Sequence, residues 1–115
     1  MKYAGTWHIL EMDLWDEDYF NMEIQAFIRV EPNGMGDFQF GLVSGVLDGE
    51  VVKTGNLERF DFTWEGQDEN DPAFGSGWLK LSGKDKVNGS IKFHLGDRSA
   101  FLAVRAEGPE NTESQ

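Results

Sequence analysis

The chain has no cysteine in its 115 residues, which removes a disulfide framework, a thiol nucleophile and any thiolate metal site together. Packing and hydrogen bonds must hold the fold. Proline is scarce, at three, so the composition does not describe helices strung on stiff linkers. Long apolar runs are missing as well: no window approaches ~18 consecutive apolar residues, and "MKYAGTWH" lacks the apolar core of a signal peptide. These absences predict a soluble, cytoplasmic protein. Basic residues are few, 10 against 21 acidic ones, and the formal charge of −11 repels any phosphate-bearing surface. Nucleic acid and anionic membrane are therefore not expected partners.

What the chain does have is 14 glycines, nine phenylalanines, four tryptophans and two tyrosines. That mixture suits short strands joined by tight turns, and a chain of this length closes one hydrophobic core rather than two. Period-two alternation runs through most of it. From Met22 to Val30 it puts Met22, Ile24, Ala26, Ile28 and Val30 on one face, with Glu23, Gln25, Phe27 and Arg29 on the other. "EPNGMG" follows, where Asn33-Gly34 suits a hairpin turn. "DFQFGLVSGVL" reads as one strand with Phe38, Phe40, Leu42, Ser44 and Val46 on a common face; Asp48-Gly49 is the next turn signal, and Val51 to Thr54 the return. Phe60, Phe62 and Trp64 point inward against Arg59, Asp61 and Thr63. "GSGWLKLSG", "VNGSIKFHL" and "AFLAVRA" close the series, with Ile91, Phe93 and Leu95 opposite Lys92 and His94. About eight strands in consecutive hairpins predict an all-β fold, a single antiparallel up-and-down barrel or a sandwich. The expected domain spans residues 1–107, and the polar tail 108–115 is expected to be disordered.

Two stretches break the alternation. In "EMDLWDEDYFNM", Asp13 is placed to cap a short helical turn between the first two strands, with Trp15, Tyr19 and Met22 sharing a side; an acidic loop folded over the core is the alternative. "EGQDENDPAFGSG", Glu65 to Gly77, reads as the longest irregular loop and carries Glu65, Asp68, Glu69 and Asp71. A helix-loop-helix calcium pattern fails there, because Ala73 occupies the position that needs glycine and no glutamate closes the loop. No metal and no cofactor is assigned.

The stretch "AGTWHIL" sets Gly5-Thr6-Trp7 on the first strand, and "FLAVRA" sets Arg105 on the last. This pairing resembles the calycin superfamily of lipocalins, fatty-acid-binding proteins and avidins. The resemblance implies an eight-stranded barrel in which the terminal guanidinium lies over the first tryptophan, together with a general capacity to hold small ligands. Such a contact is worth on the order of 1 to 2 kcal/mol when partly desolvated. "HILEMD" replaces the avidin ligand contacts, and Glu107 stands two residues after Arg105 where fatty-acid-binding proteins carry tyrosine, so neither biotin nor fatty acid is implied. "FQFGLVSG" and "FHLGDRSAF" also resemble small uncharacterised bacterial proteins, a likeness that brings no activity with it.

Three functional classes follow. The first is a non-enzymatic barrel binding a small apolar or planar ligand, with Phe40, Phe62, Trp64 and Trp78 around a mouth and Glu11 and Ser44 as polar anchors. Against it stands a filled core, because eight strands enclose little more than their own side chains. One bulge in the first strand would also turn Glu11 outward. The second class is an acidic interaction module for a basic partner protein. The third is an enzyme using the carboxylates of "WDEDYF", Asp16 and Glu17 among them, or His94; neither His8 nor His94 sits in a nucleophile or metal motif, and no catalytic residue is assigned. Outward Phe27, with Val43 and Leu79, would form an apolar patch for a homodimer.

Overall fold

The computed structural model describes residues 1–106; the tail expected over 108–115 lies outside the described residues. Eight antiparallel strands close in chain order into one barrel. They are β1 (Gly5–Met12), β2 (Phe27–Val30), β3 (Met35–Phe40), β4 (Val43–Thr54), β5 (Leu57–Asp68), β6 (Asp71–Leu81), β7 (Lys86–Phe93) and β8 (Arg98–Arg105). A short helix, α1 (Glu17–Phe20), lies between β1 and β2. Because β8 returns to pair with β1, every described strand has a neighbour on both sides. No helix among the described residues is long and apolar enough to cross a membrane.

Alternate residues of each strand point inward, and aromatic rings fill the lumen. Trp64 meets Phe38 and Phe93 edge-on, each at 5.2 Å between ring centroids, and Phe60 tilts against Phe62 at 6.1 Å. The rings need room on the neighbouring strands. A Cβ at Gly77 would stand 2.5 Å from the Phe62 ring, and one at Gly89 2.4 Å from that of Phe101.

One end of the barrel is sealed by its two terminal strands. Trp7 pairs with Arg105 in register, and the Arg105 guanidinium carbon sits 4.2 Å from the indole centroid. Arg105 Nη1 donates to the Ala4 carbonyl at 2.8 Å, Nη2 to the Lys2 carbonyl at 3.1 Å, and Nε to Asp85 at 3.1 Å. Trp7 Nε1 in turn donates to the Tyr3 carbonyl at 2.9 Å. Gly5 is required here for two reasons: its φ is 130°, and a Cβ would lie 2.7 Å from Arg105 Nη1. Tyr3 completes the seal, stacking on Phe60 and accepting a hydrogen bond from Leu81 N at 3.3 Å. Burial, its largest influence, raises the Tyr3 phenol above its ordinary pKa.

The opposite end is covered by the segment from Asp13 to Ala26. Trp15 rests 5.1 Å from Phe40 and 6.1 Å from Tyr19, Phe20 is buried, and Gly41 N donates to the Phe20 carbonyl. The helical turn expected here forms, but its cap is Asp16 rather than Asp13: the Asp16 carboxylate accepts from Tyr19 N at 3.3 Å. Asp13 instead extends the pairing with β8, donating to the Ala100 carbonyl. Met22 does not join Trp15 and Tyr19; it is 53% exposed.

Other expectations are corrected by where the chain turns. Strand β2 begins only at Phe27, because Asn21 Oδ1 accepts from Ala26 N and folds residues 21–25 across the barrel end. Asn33-Gly34 does turn the chain, with Gly34 at φ 92°. The long strand read through "DFQFGLVSGVL" is two strands: Gly41, at φ 59°, reverses the chain so that Phe40 pairs with Val43. From there the inward set is Val43, Gly45 and Leu47, and Ser44 and Val46 face out. Asp48-Gly49 is no turn; β4 runs on to Thr54, with Gly49 opposite Phe62. The expected loop from Glu65 to Gly77 is a tight hairpin with Asp68 paired to Asp71. Leu95 leaves the strand after Phe93 and is exposed at φ 59°. The dimer patch loses two members, since Val43 and Leu79 are fully buried inward residues.

Candidate functional site

Of the six residues expected around one mouth, Phe62 and Trp78 line a common groove, and Phe40, Trp64, Glu11 and Ser44 do not join them. Phe40, Phe62 and Trp64 point inward, at 1%, 4% and 4% exposed, and are packed against the core rings, with Phe62 also reaching the floor of the groove beside Trp78. Trp64 Nε1 is used as well, donating to the Lys92 carbonyl at 3.2 Å. Glu11, Ser44 and Trp78 stand on the outer wall. A bulge between Ile9 and Glu11 turns Glu11 to the side of Leu102. Ser44 follows the Gly41 reversal, and Trp78 alternates with inward Leu79. Each therefore sits over a different set of strands.

Trp78 has other company. A groove of about 750 Å³ crosses the outside of β5 to β8, with Trp78 in its wall. Register builds it in rows: Asp61, Trp78, Ser90 and Ala100 lie abreast, and Ser76, Lys92 and Arg98 form the next row. Small side chains at Ser76, Ser90 and Ala100 leave the floor low. The Arg59 guanidinium lies 5.0 Å from the Trp78 ring centroid and is itself held by Asp61, with Nε to Oδ1 at 3.0 Å. Half-buried Trp78 is thereby fixed in place beside open space. Lys92 and Arg98 are directly opposite each other, and among the described residues neither has a carboxylate within ion-pair distance.

A second groove, about 630 Å³, lies across β2 to β6 and has a different character. Phe27, Val46, Pro72 and Phe74 line it together with Glu65 and the side chains of Gln39, Ser44 and Gln67. His94 stacks on Phe74 at 4.8 Å. At its border Arg29 binds Glu31 at 2.7 Å and Asp37 at 2.8 Å, and the hydrogen bond to Glu31 leads in raising the guanidinium pKa further. The hairpin carboxylates Glu65, Asp68, Glu69 and Asp71 have no ion-pair partner among the described residues and do not converge on a metal-type cluster. Asp16, weighed for acid–base chemistry, is occupied as the cap of α1.

Sequence reasoning found Trp78 and missed Arg59, Lys92 and Arg98. The pair follows from register alone: Phe93 N donates to the Asp97 carbonyl, and counting outward from that bond puts residue 92 against 98. Comparison with protein-family models, curated proteins and solved structures gives no match to this chain.

Proposed function

We propose that the protein is a calycin-like, non-enzymatic cytoplasmic binding protein that holds a small planar ligand against Trp78, on the outer wall of the barrel rather than in its lumen. The observation that carries this reading is a fixed, half-buried indole beside a low floor of small residues. The groove's 750 Å³ falls within the roughly 300–1,000 Å³ of small-molecule sites. The Trp7–Arg105 seal supports the calycin likeness, and the packed rings inside argue for a ligand outside. Native mass spectrometry of protein purified from its own host is expected to show a retained small molecule. Binding of that molecule should fall about tenfold in Trp78→Ala, the scale of one lost aromatic stack, and persist in Phe40→Leu. Binding abolished by Phe40→Leu and untouched by Trp78→Ala would return the site to the lumen.

A second reading, a module for a basic partner protein, is favoured by the carboxylates of the β5–β6 hairpin beside Phe74 and Pro72, which have no ion-pair partner among the described residues. A lysine-rich peptide with interspersed aromatic residues is then expected to bind at low salt and to release as the screening length drops below ~10 Å. Equal binding by a Glu65→Gln, Glu69→Gln variant would remove this reading.

A further inference from the structure

The Trp78 groove contains a feature that the fold itself does not require. Lys92 and Arg98 are cross-strand partners on the outer face, so their Cβ atoms stand roughly 4.5–5.5 Å apart, and like charges placed this way weaken a sheet. The chain has 21 acidic residues with which to neutralise such a pair, yet the outward positions flanking it are Ser76, Ser90 and Ala100. Of the acidic residues lining the groove, Asp61 is engaged by Arg59, and Asp13 lies beyond ion-pair distance of both cations. In a protein of net charge −11, two adjacent cations facing open space beside an indole mark a place where negative charge is supplied from outside.

Resting on the assignment of this groove as the ligand site, we infer that its ligand is a planar monoanion: a flat ring bearing one carboxylate, with the ring against Trp78 and the carboxylate between Lys92 and Arg98. The register supports that division of labour. Trp78 and Lys92 are diagonal neighbours on β6 and β7, roughly 7–8 Å apart, a separation that one ring and its substituent can bridge. Arg98 offers the planar fork that matches a carboxylate with two parallel hydrogen bonds, and Lys92 adds a movable point charge. The Ser90 hydroxyl lies beside Trp78 and Ala100 and can donate to the same oxygens. A single negative charge is favoured over two, because Asp13 and Asp61 line the same groove and oppose a second one.

The test compares 2-naphthoate with 2-naphthamide, which share a ring and differ in charge, on the full chain by calorimetric titration. Naphthoate should bind about tenfold more tightly than naphthamide, the effect of one charge-assisted hydrogen bond. A Lys92→Gln, Arg98→Gln double variant should erase that difference while keeping the naphthamide affinity, and Trp78→Ala should weaken both probes. Without any probe, the double variant should melt at a higher temperature than the natural chain in low salt, with the gap closing as salt is added. If the two probes bind alike and both depend on Trp78, the anion inference is wrong and the ligand site stands. If neither binds, the ligand site falls and takes the inference with it. A double variant that melts lower than the natural chain, or that keeps its preference for naphthoate, also overturns the inference.

Discussion

The two ends of this barrel are closed by different physics. At one end a guanidinium reaches across the chain to carbonyls more than 100 residues away in sequence and stacks on a fully buried indole. At the other, a four-residue helix and a half-buried tryptophan lie over the opening, tied by hydrogen bonds to the β3–β4 turn and to β8. The first closure joins the termini of the fold and therefore belongs to the global unfolding unit. The second is expected to open at lower cost than the whole barrel, since it gives up only the contacts of one short segment.

Trp7→Ala is the severest way to probe the contrast. It empties a site that is 0% exposed and should cost about 3–5 kcal/mol in urea unfolding. Arg105→Met comes next: it keeps an apolar stem but loses the cation–π contact and the bonds to Ala4 and Lys2, for about 2–3 kcal/mol. Arg105→Lys should recover less than half of that, because an ammonium cannot bridge the same acceptors as a planar fork. At the covered end, Trp15→Ala should cost about 1–2 kcal/mol and speed amide exchange over residues 14–25 without speeding it in β1 and β8. Uniformly faster exchange would show that both ends belong to one cooperative unit. The smallest effect is alkaline. The folded state holds the Tyr3 proton more tightly than the unfolded chain does, so above pH 10 the unfolded state loses that proton first and stability falls as pH rises. Tyr3→Phe should have a shallower alkaline slope, at the price of the bond to Leu81 N, and an unchanged slope would locate the titration elsewhere.

Alternation was legible wherever a strand ran without interruption. Phe60, Phe62 and Trp64 on β5, and Ile91 and Phe93 on β7, face inward as their period requires. It misled where one glycine could play either of two parts. Gly41 turns the chain, whereas Gly49 stays in a strand, where the Asp61 carbonyl, the Phe60 ring and the Phe62 Cβ occupy the space a side chain would fill. In the sequence both are a glycine amid alternating residues. The expected ligand residues failed for the same reason: the parity of Ser44 depends on the Gly41 turn, and that of Glu11 on a bulge that no residue type announces. Lys92 and Arg98 went unnoticed because each alone is an ordinary solvated cation.

The sequence by itself determined an all-β chain of consecutive hairpins, and by resemblance it pointed to a barrel with one sealed end. Alternating inward rings, Gly5-Thr6-Trp7 and Arg105 are local patterns whose meaning changes little with context. Only the tertiary structure decided which residues share a surface. A cross-strand register joins positions by hydrogen bonds that depend on where every turn falls, and a shift of one residue exchanges the inside of a strand for its outside.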